Sequence, residues 1–320
     1  VREPDRLRTL VHYATLAASS HNSQPWRFAV EERAVEVRAD WTRRCPAADP
    51  DDHHLLASLG CAVENLVQAA SAFGLEANVG ALHAGRIRVE FAAAPAATSP
   101  LFEAITRRQS CRAEYDGQPL PPEQLDALAK AASLGDVRVR LFSGHPELLR
   151  LNGFIAEGNR LQMSRAGFRR ELKSWIRFNA TEARAHGDGL FAGSTGNPSV
   201  PGWLGRAAFD VAYRADAEDA KNRRHLLSSS GAAVLFTAAD GDANAFVAGR
   251  ACERFALQAA TLGLSVAHLN QPVEVAEVRA RFAAFLGDPQ MRPHFVLRFG
   301  RGPRMPRSLR RPLRDVIERE

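Results

Sequence analysis

The segment GCAVENLVQAASAFGL at 60–75 has a counterpart far down the chain, GRACERFALQAATLGL at 249–264. Glycine opens both, Ala62 matches Ala251, Glu64 matches Glu253, Ala70 matches Ala259, and Gly-Leu closes both. Apolar residues recur at helical spacing, so each segment reads as a buried amphipathic helix stopped by a glycine C-cap. Alanine-rich helices can match by chance, so the neighbourhoods have to decide.

Those neighbourhoods are comparable. In the first, a helix over 5–18 precedes strands at 26–30 and 34–39, a helix over 54–74 and a strand at 86–91. In the second, a helix over 122–133 precedes a strand at 137–142, with helices near 146–162 and 168–180. A strand at 232–238, a helix over 245–263 and a strand at 294–299 complete it. The pattern predicts an α+β protein of two similar halves, residues 1–100 and 101–320, divided at the Ala/Pro-rich AAAPAATSP (92–100). Two such halves on one chain suggest a fused dimer, and a ligand site at the seam would draw residues from both.

One stretch has no first-half counterpart. HGDGLFAGSTGNPSVPG (186–202) holds five glycines and two prolines, flanked by Trp175, Phe178, Phe191, Trp203 and Phe209. Long irregular loops are usually functional or disordered. Disordered segments are poor in aromatics, so a lid insertion over about 165–215 is the favoured reading.

Composition narrows the class. At 320 residues the chain is long for one domain by the rough ~150-residue prior, so two units or one large one both fit. With 45% hydrophobic and 24% charged residues it has ample material for a core. No apolar run approaches the ~18 residues of a membrane span, so a cytoplasmic chain is expected, with what precedes Val1 left open. The scattered cysteines Cys45, Cys61, Cys111 and Cys252 suit buried thiols better than a disulfide framework. In DPDDHH (49–54) the acids read as caps of the following helix rather than as metal ligands. The net charge of +6 sits in RGPRMPRSLRRPLR (301–314), which has six arginines and no acid. It is a solvated tail or a phosphate site, and not the basic, aromatic-studded face that nucleic acid would want.

Two short motifs carry chemistry. SSHNSQPWRF (19–28) packs small hydrogen-bonding groups at the mouth of a strand, as a capped turn or as a ligand's polar rim. Arg108, Ser110 and Arg112 alternate as R-x-S-x-R, which suits a phosphate dianion or the surface end of a basic helix.

Together these motifs resemble the nitroreductase family of FMN-binding oxidoreductases, and within it the Acg-like branch. The family loop P-S-S-x-N-x-Q-P-W corresponds to Ala18-Ser19-Ser20-His21-Asn22-Ser23-Gln24-Pro25-Trp26. The R-x-S-x-R motif matches Arg108, Ser110 and Arg112, and a basic C-terminal motif matches Arg310-Arg311-Pro312-Leu313. The resemblance implies two nitroreductase-like halves forming a pseudo-dimer, one FMN at their seam, and a monomeric chain. It places the flavin among Ser19, Ser20, Asn22 and Gln24, with its phosphate on Arg108, Ser110, Arg112 and Arg310 and with Arg311 in reserve. By position it points to Asn270 and Gln271 near the flavin N5; His268 is given a core or supporting place and no catalytic role. Ala18 departs from the family's proline, and Ser308 stands where a lysine often sits.

The function implied is an NAD(P)H-dependent oxidoreductase of nitro or quinone compounds. The alternative is a lid-closed protein that holds FMN with little turnover. A nucleic-acid binder using the arginine tail is the third and least supported class.

Overall fold

Two four-stranded antiparallel sheets flank a crossed pair of helices in the computed structural model, which describes residues 3–318. The N-terminal part runs α1 (Glu3–Thr15), a 3-10 turn at Ser20–Asn22, β1 (Trp26–Val30), β2 (Ala34–Ala39), α2 (His53–Ala72), β3 (Leu75–Val79) and β4 (Arg86–Ala93). Then come α3 (Pro100–Ile105), α4 (Pro122–Ala132), β5 (Arg138–Phe142), α5 (His145–Ser164) and α6 (Ala166–Trp175). The insertion continues with β6 (Ile176–Arg177), α7 (Ala180–His186), β7 (Leu190–Phe191) and α8 (Gly202–Ala212). After it follow α9 (Ala215–Leu227), β8 (Gly231–Thr237) and α10 (Asp242–Thr261). The chain closes with β9 (Ser265–His268), α11 (Gln271–Glu274), α12 (Ala276–Leu286), β10 (Arg292–Gly300) and α13 (Leu313–Val316).

The sheets are ordered β1-β2-β4-β3 and β5-β8-β10-β9. Numbered within its own sheet, each therefore has the same strand order, with the repeated helix entering its third strand. In β4, alternation turns Ile87, Val89 and Phe91 inward onto α1 and α2, leaving the other face to solvent. Every residue of β10 is buried, because α10 and α4 cover one face of that sheet while α5 and α12 cover the other.

The repeated helices α2 and α10 pack against each other at their glycines. A Cβ on Gly60 would lie 2.0 Å from the Phe246 carbonyl oxygen, and one on Gly249 would lie 1.9 Å from that of Ala57. Each glycine thus sits on the carbonyl one turn before its counterpart, a reciprocal contact of pseudo-two-fold character. Among the described helices α2 alone is long and apolar enough to cross a membrane, and it is a buried core helix here.

Several expectations are revised. The helix expected over 168–180 stops at Trp175, where the chain extends as β6 to pair with β7 and Asn179 then caps α7. Helices α6, α7 and α8 frame the insertion, whereas the glycine-rich run between α7 and α8 is irregular as expected, apart from β7 and a 3-10 turn at Ala192–Thr195. The acids of 49–54 do cap: Asp49 accepts from the His54 and Leu55 amides at 3.0 and 2.9 Å. All four cysteines are buried and unbridged. Nor is the arginine tail loose, because it crosses back to the first sheet, where the Glu318 amide donates to the Phe28 carbonyl at 2.9 Å.

Candidate functional site

A cavity of about 390 Å³ opens where the 18–22 turn, the 108–112 segment, the β9–α11 junction and the insertion meet. It is bordered by Ser19, Ser20, Asn22, Arg108, Ser110, Arg112, Asn270, Gln271 and Arg310, so nine of the eleven nominated residues converge. Gln24 and Arg311 stand behind its wall. Gln24 Nε2 donates to the Gly187 carbonyl at 2.9 Å, and its Oε1 accepts from the Arg311 amide at 2.9 Å. The Arg311 side chain donates to the Gln24 and Asp315 carbonyls.

The turn is held in an uncommon conformation. His21, Asn22 and Gln24 have φ of 49°, 53° and 52°, in the left-handed region that asparagine and histidine tolerate better than most side chains. Much of the polar content of SSHNSQPW maintains that shape. Ser19 Oγ accepts from the Gln24 amide at 3.0 Å, and the Ser20 amide donates to Ser58 Oγ at 3.3 Å. Asn22 Nδ2 donates to the Gly189 and Leu309 carbonyls, both at 3.1 Å, tying the turn to the insertion and the tail.

The R-x-S-x-R segment runs beside β9 in extended form, with the Cys111 amide donating to the Val266 carbonyl at 2.9 Å. Alternation places Arg108, Ser110 and Arg112 on the cavity wall and buries Cys111. The three nominated cavity arginines then differ sharply. Arg108 Nε lies 2.9 Å from Glu253 Oε1 but off line for a hydrogen bond, and its Nη2 donates to the Leu16 carbonyl at 2.9 Å.

Arg310 is committed to the fold. Its Nε donates to the Thr15 carbonyl, Nη2 to those of Leu16 and Ala17, and Nη1 to Asn22 Oδ1 and the Ser308 and Leu309 carbonyls. A guanidinium has five N–H donors, so here none is left for a phosphate and only its charge reaches the cavity. Burial, with Arg108 beside it, holds its pKa down to about 9. Arg112 makes no hydrogen bond or ion pair among the described residues, and burial and Arg298 lower its pKa.

The missing proline has a use. The Ala18 amide, which proline would lack, donates to Glu253 Oε2 at 3.3 Å. Glu253 is fully buried, and burial raises its pKa despite Arg108. On the opposite wall, Asn270 Oδ1 accepts from the Val296 amide at 3.0 Å, whereas the buried Gln271 Oε1 has no hydrogen-bond partner among the described residues.

The cavity also holds groups that the motifs do not signal. Glu274 accepts from Gln162 Nε2 at 2.6 Å, and burial raises its pKa. His21 is held down to about 4 by burial and by Arg112. Cys61 borders the cavity, and Cys252 Sγ lies 3.6 Å from His268 Nε2. Contact with Cys61, and secondarily with His268, brings the Cys252 thiol down to about 5. Thus His268 supports a thiol. Lys221 and Asn197 complete the far wall. Asn197 lies within the insertion and Lys221 just after it, and neither belongs to a motif.

The insertion does wall the cavity, but with Phe168, Leu172, Ile176 and Leu190 rather than with the nominated aromatics. Phe178 and Phe209 pack with Ile176 in the insertion's own small core, and Trp203 is 72% exposed. The start of the glycine-rich run is anchored. Asp188 pairs with Arg43 and, at 2.6 Å, with Arg177, while the Gly189 amide donates back to the Asn22 carbonyl at 3.2 Å.

No family model matches the chain. Rv3131 of Mycobacterium tuberculosis H37Rv, named as a candidate NAD(P)H nitroreductase, is 27% identical, with 99% of this chain and 92% of that protein covered. Acg of the same organism, named likewise, is 26% identical, with 98% and 95% covered. The solved FMN-dependent nitroreductase NfnB of Mycobacterium smegmatis, in complex with NADPH, aligns with 69% of this chain and 98% of its own at 16% identity and a TM-score of 0.45. The chain is thus similar over nearly its whole length to proteins named as NAD(P)H nitroreductases. The Acg-like resemblance read from its motifs is borne out across nearly its whole length.

Proposed function

We propose that this protein is an FMN-dependent oxidoreductase of the nitroreductase type, drawing electrons from NAD(P)H and passing them to a small nitro or quinone compound. The observation that carries the reading is the convergence of nine separately located motif residues on one cavity. Its volume lies within the roughly 300–1,000 Å³ of small-molecule sites. Its unmatched groups fit a flavin mononucleotide, because Arg112 offers charge and donors. Ser20 and Ser110 offer hydroxyls, and Arg108 offers charge balanced in part by Glu253. When bound, FMN supplies the two-electron chemistry, while the protein binds, orients and excludes water.

The two halves, 1–100 and 101–320, are read as a pseudo-dimer carrying one such site. The shared strand order and the reciprocal Gly60 and Gly249 contacts support this. Purified protein should take up one FMN per chain, remain a monomer by light scattering, and lose its yellow colour on anaerobic addition of NADPH. Protein that binds no added FMN would overturn the reading.

The anchored insertion favours a second reading. Asp188, held by two arginines, and the paired Asn22–Gly189 bonds fasten the cavity wall shut. A protein that holds FMN behind this wall would bleach with dithionite but not with NADPH.

A further inference from the structure

Two thiols and an imidazole meet where the repeated helices cross, and no step of flavin chemistry uses them. Cys61 follows Gly60 on α2, Cys252 lies one turn after Gly249 on α10, and the helices touch at those glycines. Cys61 Sγ donates across the crossing to the Gly249 carbonyl at 3.2 Å, which sets it against Cys252. On its other side Cys252 Sγ lies 3.6 Å from His268 Nε2. His268 stands on β9 with its ring 5.9 Å from that of Phe295, and the Cys252 thiol is the hydrogen-bond partner of its imidazole.

The three groups differ in access and in charge. Cys61 and His268 border the cavity, whereas Cys252 is 2% exposed and stands off its wall, so only a reagent of a few atoms can reach that sulfur. Contact with Cys252, and then burial, pushes the Cys61 thiol up. The proton of the pair therefore stays on Cys61, and Cys252 carries the thiolate beside a base. Arg108 favours both thiolates, and Glu253 opposes that of Cys61. The other two cysteines have no such neighbours. Cys45 packs with Ala48, Met163 and Phe168, and Cys111 donates to the Pro303 carbonyl at 3.3 Å. A thiolate in contact with a second thiol, where two backbones are held close, is what disulfide formation requires.

We infer that Cys61 and Cys252 form a redox-active dithiol, a site of reversible oxidation by a small peroxide, with His268 positioning and deprotonating Cys252. The Cys252 proton passes to His268 Nε2, and the thiolate attacks one peroxide oxygen. The O–O bond breaks, Cys252 becomes a sulfenic acid, and the leaving oxygen takes the proton back from His268 to depart as water. Cys61 sulfur then attacks the sulfenic sulfur, the S–O bond breaks, and the hydroxyl leaves with the Cys61 proton as a second water. Two thiols are oxidised to one disulfide, and one peroxide is reduced to two waters. The dithiol stands on this chain's own sulfurs and does not need the flavin.

The test is to treat the full-length folded chain with hydrogen peroxide at about pH 7, alkylate it and map its peptides by mass. Wild type should lose two of its four thiols together, as one cross-link between Cys61 and Cys252, and dithiothreitol should restore both. A thiol titrating near 5 is almost wholly thiolate at that pH, against a few per cent for an ordinary one. Cys252 should therefore react about tenfold or more faster than Cys45. Its rate should hold steady from about pH 8 to about pH 6 and fall as pH approaches 5. His268→Gln should move that fall to higher pH. Cys61→Ser should leave Cys252 as a sulfenic acid that dimedone labels, which wild type should not show, and Cys45→Ser should change nothing. A cross-link between other cysteines, four thiols consumed at one rate, or no reaction until urea unfolds the chain overturns the dithiol. Cross-linking in a chain that takes up no FMN would leave the dithiol standing and sink only the flavoprotein reading.

Discussion

Glu64 and Glu253 occupy the same position in the two repeated helices, and both are fully buried, yet their surroundings have opposite characters. Glu64 is closed off by the partner helix, pairing with Arg250 at 3.0 Å and Arg254 at 3.1 Å. In the matched register, the residues that could do the same for Glu253 are Cys61 and Asn65, neither of them charged. Its countercharge comes instead from Arg108 in the R-x-S-x-R segment, and its second oxygen holds the 18–22 turn through Ala18. One end of the helix pair is therefore plugged by arginines, while the other has a small thiol facing a cavity. The difference teaches how two matched helices can border unlike surroundings: long cations fill one seam, and at the other a short side chain lines the cavity.

The sharpest way to break this comparison is to remove each carboxylate. Arg108 has 4% of its side chain exposed, whereas Arg250 and Arg254 have 17% and 29%. Stripping the partner from a buried charge costs about 3–5 kcal/mol, and less where the charge can turn to water. Glu253→Ala should therefore lower stability in urea by about that amount, and Glu64→Ala by clearly less. Glu253→Gln, which keeps an acceptor for the Ala18 amide, should fall between them. Equal losses at the two positions would show that the ends are energetically alike.

A converse change makes the open end copy the closed one. Cys61→Arg places at the cavity what Arg250 places beside Glu64. The new guanidinium has Glu253 within the same register and would occupy volume that a ligand needs. FMN affinity should fall about a hundredfold, equivalent to about 2.7 kcal/mol, while the chain stays folded by circular dichroism. Undiminished FMN uptake would mean that Cys61 does not guard the ligand's space.

Much of this frame was legible because close helix contact demands particular residues. Gly60 and Gly249 sit where backbones touch and any added Cβ would meet a carbonyl oxygen, so the repeat survives in the letters themselves. The motif loops were legible for the same reason, since left-handed Asn22 and paired Ser19 serve one backbone shape. Other features depend on pairing that no single stretch records. Arg310 reads as a phosphate ligand until the carbonyls of Thr15, Leu16 and Ala17 are seen to consume its donors. Lys221 lies on α9, ADAEDAKNRRHLL, whose acids precede its bases without marking any face. The insertion's helices hid behind glycines, which signal a loop but here end short elements, as Gly187 does for α7 with φ of 67°.

The smallest expected effect tests the symmetry itself. Gly60→Ala and Gly249→Ala each direct a methyl at a carbonyl oxygen about one turn up the facing helix, at nearly equal distances of 2.0 and 1.9 Å. Backbone cannot swing aside like a side chain, so the helices must separate, and overpacking of this kind typically costs about 1–3 kcal/mol. Because the contacts are reciprocal, the two losses should agree within about 0.5 kcal/mol by denaturant unfolding. Their consequences for the site should then differ in a defined way. Cys61 follows Gly60 on the cavity side, and Arg250 follows Gly249 at the plugged end. Separation at Gly60 therefore displaces the cavity wall directly and should weaken FMN binding more than separation at Gly249. Unequal stability losses would show that the crossing is symmetric in shape but not in energy, and equal effects on FMN would show that the helix pair moves as one rigid body.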